Sequence, residues 1–219
     1  MYKMILKRAA EIVVTTLKAS KMKSPMLNSQ KLILASASQG RAWVLKQAGI
    51  DFIVDAADLD EEAFHAPTTA ELVLILAKAK AEVVAARHRD GFLVAVDTLV
   101  VLDDQIIGKP KDAVDAAAML ARLSGRTHRV ISGIVVYDLT TKKVAQDVVM
   151  SDVTFKPLTA SIIADYIATG EFWGKAGSYS SQERGKDLIA KIDGDFTNVV
   201  GLPLQSFMRL LQKLANAKN

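Results

Sequence analysis

The amino-acid sequence predicts an α/β fold built on a mixed sheet flanked by helices, and three observations carry that prediction. Short, β-branched apolar runs at 92–96 and 99–102 have the length and composition of buried strands. Longer segments with apolar residues at helical spacing alternate with such runs, the pattern of strands covered by helices. Two long strand-like stretches, 130–139 and 143–155, meet at Thr140-Thr141 and add an antiparallel hairpin.

Taken in order, residues 32–35 read as a strand entering a helix over 39–48, which Gly49 closes. A second strand at 52–54 precedes a long helix over 69–88, with Leu72, Leu76, Ala79 and Val83 at helical spacing. Residues 92–102 form one long strand or a strand pair, and Asp103-Asp104-Gln105 turns the chain into Ile106-Ile107. Asp112 caps a helix to Leu123 that Ser124-Gly125 ends, and Thr159 begins another to Thr169, closed by Gly170. An amphipathic helix over 204–214 follows, read as core-facing, with a homodimer interface as its alternative. Trp43 and Trp173 read as packing residues, with base-stacking platforms as the alternative, and His65, His88 and His128 are too scattered to suggest a metal pattern.

Half of the 219 residues are apolar, enough for a sizeable core. Without cysteine there is neither a disulfide framework nor a thiolate metal site, which fits a reducing, cytoplasmic setting. No apolar run approaches the roughly 18 residues that span a bilayer, so no membrane association is expected. The net charge of +4 is unevenly placed. Residues 1–30 carry six basic side chains against Glu11, a charge of +5, and residues 31–219 therefore sit near −1. The body of the chain thus gives no electrostatic invitation to nucleic acid. The chain divides into a basic extension, 1–30, and one domain, 31–219. The extension reads as a surface helix or as lead-in to an internal start at Met26, with a basic amphipathic targeting helix as the other reading.

Four groups of residues carry chemistry. Ser36-Ala37-Ser38-Gln39-Gly40-Arg41 runs from strand to helix, where free backbone N–H groups, small hydroxyls and a first-turn arginine suit an anion. Ordinary helix capping explains Ser38 equally well. Asp97 lies inside an apolar strand, where a carboxylate costs desolvation energy unless it has partners or chemistry to do. Lys109, between Gly108 and Pro110, suits a phosphate as a point charge. Asp58, Asp60, Glu61 and Glu62 form an acidic loop that is either solvated or supplies oxygen to a hard cation.

Together with their neighbours these groups stand in a familiar order. LILASASQGR (32–41), DLDEE (58–62), AKAKA (77–81), AVDTLVV (95–101), GKP (108–110), LSGRTHRV (123–130), KAGSYSSQ (175–182) and GDFTNVVGLP (194–203) resemble the motifs of the Maf family of nucleotide pyrophosphatases, from Lys31 onward. The resemblance implies a two-lobed fold with a central cleft, like that of inosine triphosphatases, and hydrolysis of a nucleoside triphosphate to the monophosphate and pyrophosphate. It also implies catalytic roles for Asp97, Glu61, Lys80 and Lys109, with Asp97 and Glu61 holding Mg²⁺ or Mn²⁺. Ser36, Ser38, Arg41, Thr98 and Gln182 fall on substrate-binding positions, Gln182 on one associated with base or substrate recognition. Gln182 and the Asp97-Thr98 pair point to dTTP, UTP or modified pyrimidine nucleotides. The alternatives are 7-methyl-GTP and a non-catalytic, nucleotide-binding regulator of cell division. Two positions depart from the family pattern: Gly40 replaces the first of two paired arginines, and Glu183 replaces a glycine.

Overall fold

The computed structural model describes residues 31–216, and the expectation for residues 1–30 lies outside them. The strands are β1 (Leu32–Leu34), β2 (Ile53–Val54), β3 (Phe92–Leu102), β4 (Gln105–Ile107), β5 (Thr127–Asp138), β6 (Lys143–Phe155) and β7 (Ile189–Asp193). The helices are α1 (Gln39–Gln47), α2 (Thr69–Ala85), α3 (Ala113–Leu123), α4 (Ala160–Ile167), α5 (Phe196–Val200) and α6 (Leu204–Asn216). They flank one mixed sheet of order β2-β1-β3-β5-β6-β7, with β4 also paired to β3.

Local chemistry explains most boundaries. Ser38, Asp112 and Thr159 cap α1, α3 and α4 through their side chains. Thr68 and Glu71 form a reciprocal capping box on α2. Asp103 and Asp104 both take positive φ, the backbone a tight two-residue hairpin turn requires between β3 and β4. The structure ends α2 three residues earlier than the sequence suggests and begins β5 three residues earlier. Those three extra β5 residues pair with Asp152, Val153 and Thr154 of β6, a partner that strand propensity alone does not reveal. α6 buries Leu204, Phe207, Leu211 and Leu214 against the sheet, which settles it as core-facing.

The long strand β3 organises everything else. Along one edge it pairs with β5 from Phe92 to Val101. Along the other it pairs in parallel with β1 at 92–94 and antiparallel with β4 at 100–102. Between those two partners, around 96–99, that edge of β3 is uncovered, and the chain leaving β1 bends away into α1. The apolar core divides at the same place. Clusters on the two faces of the sheet's first half include Val94 and Val96 on the α6 side and Leu93 and Ala95 on the α2 side. A third, around α3 and α4, begins at Val100. A break in sheet partners at the end of a parallel pair is a natural place for a ligand cleft.

One close approach fixes α2. Gly133 of β5 lies opposite Asp97, and a Cβ there would come within 2.4 Å of the Val73 carbonyl oxygen. Only glycine lets the helix backbone press so near the sheet. That contact sits two turns before Lys80 and sets where the lysine stands.

Candidate active site

A cavity of about 1120 Å³ opens at the uncovered stretch of β3. Its walls include all nine residues singled out in the sequence: Ser36, Ser38, Arg41, Glu61, Lys80, Asp97, Thr98, Lys109 and Gln182. They come from β1–α1, the acidic loop, α2, β3, the turn after β4 and the segment before β7, so the fold gathers groups up to 146 positions apart (Ser36 to Gln182).

Alternation along β3 separates two tasks. Asp97 falls on the α2 face and Thr98 on the α1 face, because successive strand residues point to opposite sides. On the α2 face, Lys80 Nζ donates to Asp97 Oδ1 at 2.5 Å and lies 2.7 Å from Glu61 Oε1. Lys80 and Asp97 are only 8% and 4% exposed, so each charge depends on the other for its place in the interior. Burial works against ionisation of Glu61. The hydrogen bond and charge of Lys80, with Lys109 and Arg41 behind it, outweigh that and hold its carboxyl below the usual carboxylate value.

On the α1 face, Arg41 is a clamp. Its Nη1 donates to Ser36 Oγ at 2.7 Å, its Nε to the Gly201 carbonyl at 3.0 Å, and its Nη2 reaches Thr98 Oγ1 at 3.4 Å. Thr98 shares a further hydrogen bond of 2.9 Å with Ser132. Burial pulls the Arg41 guanidinium below its ordinary pKa, against the neighbouring charges of Asp97 and Glu61. Three of its five donors are thus engaged, with Ser36 after β1, Thr98 on β3 and Gly201 at the end of α5, and two remain for an anion. Ser38 caps α1 by accepting from the Arg41 N–H at 3.4 Å and also borders the cavity. Gly40 packs under the last turn of α5, where a Cβ would meet the Val200 carbonyl oxygen at 2.8 Å.

The opposite wall is made of loops. Gly177 N–H donates to the Gly108 carbonyl and brings the 176–178 turn beside Lys109. Tyr166 accepts from Ser180 N–H at 3.0 Å, and buried Tyr179 shares a 2.7 Å hydrogen bond with His128. Burial lowers the His128 pKa to about 4 against the opposing charge of Asp152, so the ring is neutral at ordinary pH. Glu171 accepts from the N–H groups of Arg184 and Gly185, pinning the turn after Gln182. Glu183 holds that turn at φ +45°, a backbone region that favours glycine.

Sequence reasoning missed the Gly201 carbonyl, Ser132, Glu171, Tyr166 and α5, which positions Gly201. The 194–203 motif signalled the last of these: Asp195 caps α5, and Thr197 accepts the Leu204 N–H. Trp173 is a correction. It is 56% exposed on the cavity wall, whereas Trp43 packs against the core as expected.

Two buried side-chain oxygens at the cavity, Asp97 Oδ2 and Ser181 Oγ, have no hydrogen-bond partner among the described residues, and the first belongs to a carboxylate. A buried carboxylate oxygen without a donor is rare and calls for a ligand. The carboxylate of half-exposed Glu61 shares the same Lys80 ammonium. Two carboxylates at the edge of a large, lysine-lined cavity fit a divalent cation that keeps most of its waters.

Residues 31–214 match the family described as Maf-like protein. A protein of Symbiobacterium thermophilum named dTTP/UTP pyrophosphatase is 44% identical over 182 residues, covering 83% of this chain and 93% of its own length. One of the same name from Geotalea uraniireducens is 43% identical over 189 residues, covering 86% and 97%. The solved structure of the Staphylococcus aureus Ham1 protein is similar at 14% identity and a TM-score of 0.39, covering 57% of this chain and 72% of that one. The match over 31–214, with relatives above 40% identity across four fifths of the sequence, means that this chain belongs to the Maf-like family.

Proposed function

We propose that this chain is a nucleoside triphosphate pyrophosphatase, cleaving dTTP, UTP and related pyrimidine nucleotides to the monophosphate and pyrophosphate. The observation that carries the reading is the unpartnered Asp97 Oδ2, held at the gap in the sheet beside Lys80 and Glu61. The names of the relatives, dTTP/UTP pyrophosphatase, support the substrate class.

Lys80 and Lys109 meet the phosphates as point charges, and the spare donors of Arg41 and the hydroxyl of Ser36 extend that surface. Asp97 accepts the proton of a water that attacks the α-phosphorus. The bond from that phosphorus to the bridging oxygen breaks, and pyrophosphate leaves with the bonding pair. Lys80, fixed between two carboxylates, orients both and offsets the charge of the leaving group. Asp97 and Glu61 are the residues that would hold Mg²⁺ or Mn²⁺, which when bound neutralises phosphate charge and makes the attacking water more acidic. Gln182, pinned by the turn that Glu171 holds, offers an amide that donates and accepts, as a pyrimidine edge does. The absence of cysteine suits a reducing cytoplasm.

The test is pyrophosphate release from a panel of nucleotides that includes 7-methyl-GTP, in the presence of Mg²⁺ or Mn²⁺. UTP and dTTP are expected to turn over fastest. Asp97→Asn should lower release about a thousandfold while the protein stays folded. Tight nucleotide binding with no release by the parent chain would overturn the enzyme reading in favour of a regulator.

A further inference from the structure

We propose that Trp173 is the platform on which the substrate's nucleobase stacks, an inference that rests on the nucleotide reading of the cavity. The two tryptophans of this chain are used differently. Trp43, on α1, packs partly buried against the core. Trp173 is 56% exposed on a cavity wall that it shares with Lys175, Ser180, Ser181 and Gln182. A large indole left half in water gains little for folding, so its exposure in a concave, polar site points to a ligand with a matching apolar face.

The indole is held ready for that face. Phe172, buried in the cluster around α3 and α4, backs it with ring centroids 4.7 Å apart and planes tilted by 33°. One side of the Trp173 ring is thus occupied by protein. Glu171, the residue before this pair, binds the N–H groups of Arg184 and Gly185, two and three positions after Gln182. The short segment that carries Trp173 is thereby tied to the turn that carries Gln182. The cations Arg41, Lys80 and Lys109 provide for the phosphates, while an aromatic plane and an amide, on linked loops, provide for a planar, hydrogen-bonding base. Stacking accepts any base, so Trp173 sets affinity and Gln182 sets choice.

Two measurements test this. Trp173→Ala should raise KM for UTP about tenfold with kcat within about twofold, and Trp173→Phe should restore most of the loss. An unchanged KM in Trp173→Ala overturns the proposal. In the Trp43→Phe chain, whose one remaining indole is Trp173, α,β-imido-UTP should quench the fluorescence and inorganic tripolyphosphate should not. Equal responses to the two also overturn it, since the base would then have no part in the signal. The fluorescence arm needs no turnover. A parent chain that releases no pyrophosphate refutes the proposed activity, and quenching still decides the role of Trp173.

Discussion

The two walls of the cavity are built by different means. One is made of regular elements: Asp97 and Thr98 on β3, Lys80 on α2 and Arg41 on α1, each with its side chain locked by buried partners. The other is the segment 170–185, hung from Tyr166 and His128 and tied to itself through Glu171 by a few hydrogen bonds. Groups placed for bond breaking need fixed positions, which strands and helices supply at low entropic cost. Groups that read a base tolerate replacement, and loops allow it. The two departures from the family pattern test that division, since Gly40 lies at the rigid wall and Glu183 in the loops.

The largest expected effect is on the rigid wall. Lys80→Met removes the buried partner of Asp97 and should cost about 3 to 5 kcal/mol in denaturant unfolding as well as activity. A variant as stable as the parent would show that the wall's order does not depend on this pair.

The loop wall answers to pH instead. The His128 pKa falls from 6.5 in the unfolded chain to about 4 in the fold, so the unfolded chain takes up the proton first as pH drops. Its contribution to stability is complete above pH 6.5, declines between there and pH 4, and amounts to about 3 kcal/mol when fully lost. Urea unfolding across that window should display the slope, and His128→Phe should flatten it. An equal slope in both chains would place the titration elsewhere.

Gly40→Ala is expected to cost about 1 to 3 kcal/mol, because α1 must back away from the Val200 carbonyl. Arg41 moves with α1, so KM should rise as well; a neutral Gly40→Ala would mean that the rigid wall is softer than its packing implies. Smallest is Glu183→Gly, which relieves a left-handed glutamate and should stabilise the chain by up to about 1 kcal/mol, read as a small rise in Tm. A fall in Tm would instead assign the Glu183 side chain a stabilising role.

Much of this is legible in the sequence. The strands β1 and β3, the capped starts of α1, α3 and α4, and the β5–β6 hairpin follow from periodicity and capping chemistry. The short strand β7 and α5 were not read, because five-residue elements carry little periodic signal and owe their form to neighbours: β6 for β7, and Val130 and Ser151, which hold Asn198, for α5. Trp173 departs from expectation for a related reason, its dependence on tertiary surroundings. Its type is that of a core residue, and only the loop's course exposes it.

By itself the sequence determined which side chains could do the chemistry, since a carboxylate in an apolar strand and lysines and serines at turns are local facts of composition and spacing. Tertiary structure decided what each does. Pleating sends Asp97 to Lys80 and Thr98 to Arg41, the gap between β1 and β4 gives that stretch of β3 to the cavity, and Gly133 lets α2 come close enough for Lys80 to join Asp97 to Glu61. These are long-range distances, and residues far apart in the chain acquire them only when the sheet assembles.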